Sequence, residues 1–154
     1  MNTNLYKHEV TYTRKNLTSI IHKSRLETIV KMFEEYIDQD SSSWVDFGCS
    51  NGFIIDQIQK RSKIKFSEIK GFDHSKGLID LAVNKNIPNT NFALYDMNKV
   101  GSSNLKFDIV SCFETLEHVG NVKNAFRNLF NHLKSNGILL ITVPNEIGLI
   151  GLIK

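Results

Sequence analysis

Glu114, Glu117 and His118 put two carboxylates and an imidazole within five consecutive residues. If that segment winds as a helix, the three stand at i, i+3 and i+4 and point to one side. Such a set could ligate Mg²⁺ or Mn²⁺ and acidify a bound hydroxyl. Without a metal, His118 could serve as a general base toward a hydroxyl with Glu114 beside it. The plainer readings are a turn cap at Glu117 and a satisfied pocket histidine at position 118. A second constellation lies upstream, where Asp46 is followed by Gly48, Cys49, Ser50 and Gly52. Small residues there let a ligand reach bare backbone and helix amides, although a tight turn explains the glycines equally well. Asp73 comes roughly 20 residues beyond that loop, where a carboxylate can accept one O–H of a vicinal diol on each oxygen or simply cap a helix. Asp96, taken alone, reads as a turn residue.

The elements that must position these residues are legible from periodicity. Leu26, Ile29, Val30, Phe33 and Ile37 recur at helical spacing behind the capping candidates Thr18 and Ser19. Trp44–Phe47 is a short apolar run ending at Gly48, which predicts a buried strand meeting a turn, with a helix over 53–60 after it. Strands follow at 69–72, about 91–94, 107–113 and 138–143. The helix after the second strand carries Leu78, Ile79, Ala82 and Val83 on one face. The helix after the fourth runs from Val122 through Leu133, with Asn136 and Gly137 as its stop. The apolar run ILLITV at 138–143 suits a strand covered on both faces. Strands alternating with helices imply crossovers, a mostly parallel sheet and ligands at the carboxyl ends of the strands. Asp73, Asp96 and Glu114 fall just after strands, and Asp46 lies near the end of the first.

The loop fits D-x-G-x-G-x-G with Ser50 in the middle glycine position. It does not fit the dinucleotide fingerprint, which would need a small residue where Phe53 stands. With GFDHSKGLIDLA at 71–82, the acid after the third strand, FDIVSCFETLEHV at 107–119 and the following helix and LKSNGILLITVPN, the chain from about Trp44 to Asn145 resembles the class I S-adenosylmethionine-dependent methyltransferases. The resemblance implies an α/β, Rossmann-like three-layer sandwich with strand order 3-2-1-4-5, here without the family's terminal antiparallel strand pair. It implies Asp46 toward the methionyl amino group and amides around Gly48, Cys49, Ser50 and Gly52 toward the methionyl portion. It further implies Asp73 on the ribose diol with His74 at the rim, Asp96 and the Met97 backbone on adenine, and Phe113 completing the cofactor set. The E-x-x-E-H segment is similar to metal-dependent relatives, the O-methyltransferases of ubiquinone synthesis and the small-RNA 2′-O-methyltransferases. Ser50 departs from the usual glycine and narrows the approach by one Cβ.

Size and composition fit one ordinary domain: 154 residues, 41% hydrophobic and 23% charged, with a net charge of +3. The basic residues are scattered apart from Lys60, Arg61, Lys63 and Lys65, which argues against nucleic acid as a partner. Cys49 and Cys112 lie far apart without zinc spacing, so the chain reads as cytoplasmic and reduced, with no membrane span or leader. Residues 1–43 read as an N-terminal segment and amphipathic helix serving as a lid, with Tyr6, Tyr12, His22 and Arg25 over the acceptor; a plain surface helix explains them nearly as well. Residues 44–154 read as a cofactor-binding core incomplete at its C-terminus, which leaves Ile147, Leu149, Ile150, Leu152 and Ile153 without cover and the last strand as an open edge for a second copy of the chain. The expected function is methyl transfer to a small molecule, with oxygen favoured. The alternatives are a noncatalytic interaction module and a metal-dependent RNA 2′-O-methyltransferase.

Overall fold

The computed structural model describes residues 17–38, 40, 42–101 and 104–144. Helix α1 (Leu17–Tyr36) is followed by β1 (Ser42–Phe47), α2 (Phe53–Arg61), β2 (Phe66–Asp73), α3 (Lys76–Asn84), β3 (Thr90–Leu94) and β4 (Phe107–Phe113). A single 3₁₀ turn (Leu116–His118), α4 (Val122–His132) and β5 (Leu133–Thr142) complete the described order. The strands form one sheet in the order β3-β2-β1-β4-β5 with every pairing parallel. Each expected strand is present, and the sheet has the predicted order.

Every residue of β1 is buried, as a central strand with helices on both faces requires. Alternation along it separates two apolar layers. Trp44 packs with Leu26, Ile29, Phe33, Ile55 and Ile79 on the side of α1, α2 and α3. Val45 and Phe47 pack with Phe72, Val110, Ala125 and Leu129 on the side of α4. Phe33 is fully buried, and its ring meets those of Trp44, Phe66 and Phe113 at 4.7, 6.0 and 6.2 Å. Helix α1 is therefore part of the core on which the sheet rests, besides standing near the loops above it.

Two expectations about the last elements need correction. Helix α4 ends at His132 rather than at Asn136 and Gly137, and β5 starts at once with Leu133 paired to Phe107. The register shifts between Phe107 and Ile109. Gly137 belongs to that irregularity, because a Cβ there would lie 2.7 Å from Leu133 Cδ1 and 3.0 Å from the Asp108 carbonyl oxygen. Nor is the 138–143 run covered on both faces: in β5 only Leu140 is buried, since the strand is an edge among the described residues. Tyr6, Tyr12, the side chain of His22 and the apolar residues from Ile147 onward lie outside the described residues.

Candidate cofactor site

At the carboxyl end of β1 the chain turns left-handed. Gly48 has φ 80°, Ser50 φ 53° and Gly52 φ 74°, the last as the N-cap of α2. Gly48 is obligatory on space as well as backbone, because a Cβ would stand 2.2 Å from Thr115 Oγ1. Ser50 costs backbone strain of about 1–2 kcal/mol, as a left-handed non-glycine residue does. Asp73 steadies it: Oδ2 accepts from the Ser50 amide at 2.9 Å while Oδ1 accepts from the Ser75 amide at 2.9 Å. Each carboxylate oxygen keeps a further lone pair, so the helix-cap role and a diol role are compatible.

Two cavities open around this loop and share Gly48, Ser50, Glu114 and Thr115. The larger, about 350 Å³, brings together Asp73 and His74 from the end of β2, Asp96, Met97 and Asn98 after β3, and Glu114 and His118 after β4. The smaller, about 140 Å³, is lined by Cys49, Phe53, Phe113 and Glu114 and is closed on the α1 side by Arg25 and Ile29. Asp46, Gly52 and Glu117, all placed in the site by sequence, line neither cavity. Asp46 sits buried two residues before the loop, where Ser111 Oγ donates to its Oδ1 at 2.6 Å and itself accepts from the Trp44 indole N–H at 2.8 Å. Burial pushes the Asp46 carboxyl up to about 7, against the Ser111 hydrogen bond and with help from the nearby Asp73 charge. Asp96 is held below the usual carboxylate range, chiefly by the Asn98 amide that binds its Oδ1 at 3.0 Å. Burial raises the thiols of Cys49 and Cys112, both free and enclosed, so they serve packing rather than nucleophilic chemistry.

The metal set at Glu114, Glu117 and His118 does not assemble. The sequence reading assumed a continuous helix, but Glu114 is left-handed at φ 49° and Leu116–His118 is one 3₁₀ turn, so the i, i+3, i+4 face never forms. Glu114 Oε2 instead meets Arg25 Nη1 at 2.8 Å, and Glu117 Oε1 lies 3.9 Å from His118 Nε2. No group of three such ligands converges among the described residues, and the metal-dependent RNA reading loses the motif that motivated it. An organic cofactor fits better. Ser50 Oγ is buried with no hydrogen-bond partner, and Glu114 Oε2 is buried with only the charge of Arg25 beside it, both on the shared wall of the two cavities.

Sequence reasoning placed Arg25 on a lid over the acceptor and passed over Leu78, Tyr95, Asn98, Thr115 and Val119, which line the larger cavity. Their types carry no chemical signal, although each follows or faces a strand end. Arg25 is one of three cations on α1, with Lys23 and Lys31, and the helix pattern alone does not single it out.

A family model described as a methyltransferase domain matches residues 16–149. The ubiquinone biosynthesis O-methyltransferase of Coxiella burnetii is 29% identical over 120 residues, covering 76% of this chain and 50% of that protein. The protein of the same name from Rickettsia prowazekii is 28% identical over 130 residues, covering 82% and 50%. The chain thus spans about half the length of the curated relatives it matches. Among solved structures, coclaurine N-methyltransferase bound to N-methylheliamine and SAH superimposes with a TM-score of 0.66 at 18% identity, covering 91% of this chain and 42% of that one. A SAM-dependent methyltransferase from Geobacter sulfurreducens in complex with S-adenosyl-L-homocysteine gives a TM-score of 0.59 at 19% identity, covering 77% and 47%. These likenesses share the fold found here, and with the domain match over nearly the whole chain they place it: the chain belongs to the class I S-adenosylmethionine-dependent methyltransferase family.

Proposed function

We propose that this chain carries the cofactor site of a methyltransferase that moves a methyl group from S-adenosylmethionine to a small molecule, with an oxygen acceptor. The observation that carries the reading is the larger cavity, which unites the glycine-loop floor, Asp73 and Asp96 from three neighbouring strand ends. The preference for oxygen rests on the names of the curated relatives and on His118 in the same cavity.

When bound, the cofactor supplies an electrophilic methyl on a positively charged sulfur. Asp73 offers its two remaining lone pairs to the ribose diol, while Asp96 and the Met97 backbone face the base. In the smaller cavity Arg25 offers a cation to the carboxylate of the amino-acid tail, and Asp46, buried behind the cavity's lining, offers negative charge to the ammonium from there. His118, its side chain 79% exposed, takes a proton from an incoming hydroxyl in this reading. The apolar walls at Ile29, Phe53 and Phe113 exclude water from the reacting side. Holding the acceptor about 3 Å from the methyl in line is the main catalytic contribution such a site makes.

Titration calorimetry with S-adenosylhomocysteine tests the reading: folded protein should give a one-to-one binding heat, and a flat trace would overturn it. A methyl-transfer assay on hydroxyl, amine and carbon-acid acceptors then reports the acceptor atom. The binding should also depend on pH. Because the folded carboxyl of Asp46 holds its proton up to about 7 against an ordinary 3.8, folded stability falls as pH rises across that window. An ammonium ligand favours the ionised carboxyl, so affinity should level off above pH 7 and weaken below it, by up to about tenfold per unit. Calorimetry at pH 6 in buffers of different ionisation enthalpy should show proton release; buffer-independent heats would remove Asp46 from the ammonium role.

A further inference from the structure

Asn128 is a fully enclosed side chain in α4, with 0% exposure, and it uses its complete hydrogen-bonding capacity. Its Oδ1 accepts from the Tyr95 hydroxyl at 2.9 Å and the Gly101 amide at 3.2 Å. Its Nδ2 donates to the Met97 carbonyl at 3.0 Å and the Lys99 carbonyl at 2.9 Å. All four partners belong to the loop after β3, at 27 to 33 residues' distance in sequence. A buried amide so satisfied admits one arrangement of that loop, since any other leaves polar groups unpaired in the interior. The start of α4 latches the same loop from outside, as Asn98 Oδ1 accepts from the Asn121 amide and the Asn98 carbonyl from Asn124 Nδ2. Asn128 itself lines neither cavity, yet Asp96, Met97 and Asn98 on the loop it holds line the larger one.

We propose that Asn128 is a positioning residue for base selectivity: it fixes the 95–101 loop so that Asp96 and the Met97 backbone present one set of donors and acceptors to the edge of the purine. The inference rests on the reading of the larger cavity as the nucleoside site. An amide is suited to this task because one side chain both donates to and accepts from the loop, which no apolar or carboxylate side chain of that size can do.

The test compares S-adenosylhomocysteine with S-inosylhomocysteine, whose base exchanges the amino group for a carbonyl and reverses the hydrogen-bonding edge. Affinities are measured for the parent, for Asn128→Ser and for the milder Asn124→Ala, which loosens the outer latch only. The parent should prefer the adenosyl ligand; the preference should shrink by about tenfold in Asn128→Ser and by about threefold in Asn124→Ala. A merely structural role would weaken both ligands equally, and an unchanged preference in variants that bind would overturn the inference. If Asn128→Ser does not fold, the ratio in Asn124→Ala decides alone. A parent that does not discriminate would overturn the nucleoside reading of the cavity, and the positioning role with it.

Discussion

Asp73→Ala should lower the affinity for S-adenosylhomocysteine by about 100-fold or more while the protein stays folded. Two hydroxyl-to-carboxylate hydrogen bonds at roughly 1.5–3 kcal/mol each set the scale, at which 1.4 kcal/mol is about a factor of ten. Asp73 has a second duty that adds to the loss, because its Oδ2 binds the Ser50 amide and so holds a strained left-handed turn in place. On the proposed reading, the substitution removes the diol acceptor and loosens the floor beneath the tail. Asp73→Asn separates the two contributions: the amide keeps one acceptor oxygen but sets its NH₂ against a backbone N–H or a ribose hydroxyl. Its affinity should fall between those of parent and alanine variant. Calorimetry with matched thermal melts checks both, and an alanine variant within about threefold of the parent would remove Asp73 from the ribose.

Gly48→Ala is expected to damage stability and binding together. A left-handed residue with a side chain costs about 1–2 kcal/mol, and overpacking adds about 1–3, a large share of a domain's usual 5–15 kcal/mol. The overlap cannot relax by rotation of Thr115 at no cost, because its Oγ1 donates to the Phe113 carbonyl at 2.8 Å. Since Thr115 borders both cavities, any shift it makes to admit the methyl group narrows them. Thr115→Ala in the same chain deletes the two nearest atoms but leaves Cβ at 2.8 Å and φ at 80°, so it should restore part of the stability. A double-mutant cycle by urea unfolding measures this coupling. Strict additivity would show that the crowding against Thr115 is not what makes Gly48 obligatory.

The strand-end acids were readable in the chain because burial imposes alternation on strands and 3.6-residue spacing on helices, and Asp73 and Asp96 stand where those patterns stop. The E-x-x-E-H segment was misread for the same reason turned around. A helical period was assumed for residues whose backbone is set by tertiary demands, as Glu114 pairs its amide with the Thr142 carbonyl of β5 and its carboxylate with α1. Neither partner is near in sequence, so no local pattern announces them. The Arg25 contact was missed likewise, since α1 reads as an ordinary amphipathic helix until the loop above it is placed. Asn128 did leave a trace: it falls between Ala125, Leu129 and His132 on the buried face of α4, and a polar residue inside such a stripe asks for partners.

The docking of α1 limits how the smaller cavity can exchange its contents. Swinging this helix aside would carry Leu26, Ile29, Val30, Phe33 and Ile37 into water, at roughly 2 kcal/mol apiece and on the order of 10 kcal/mol in sum. That rivals the free energy holding a whole domain together, so a hinged door on this side amounts to melting. What can move on this side is a side chain: Arg25, ion-paired to Glu114, is the one cation among the described residues lining the smaller cavity, a long stem mounted on a fixed post.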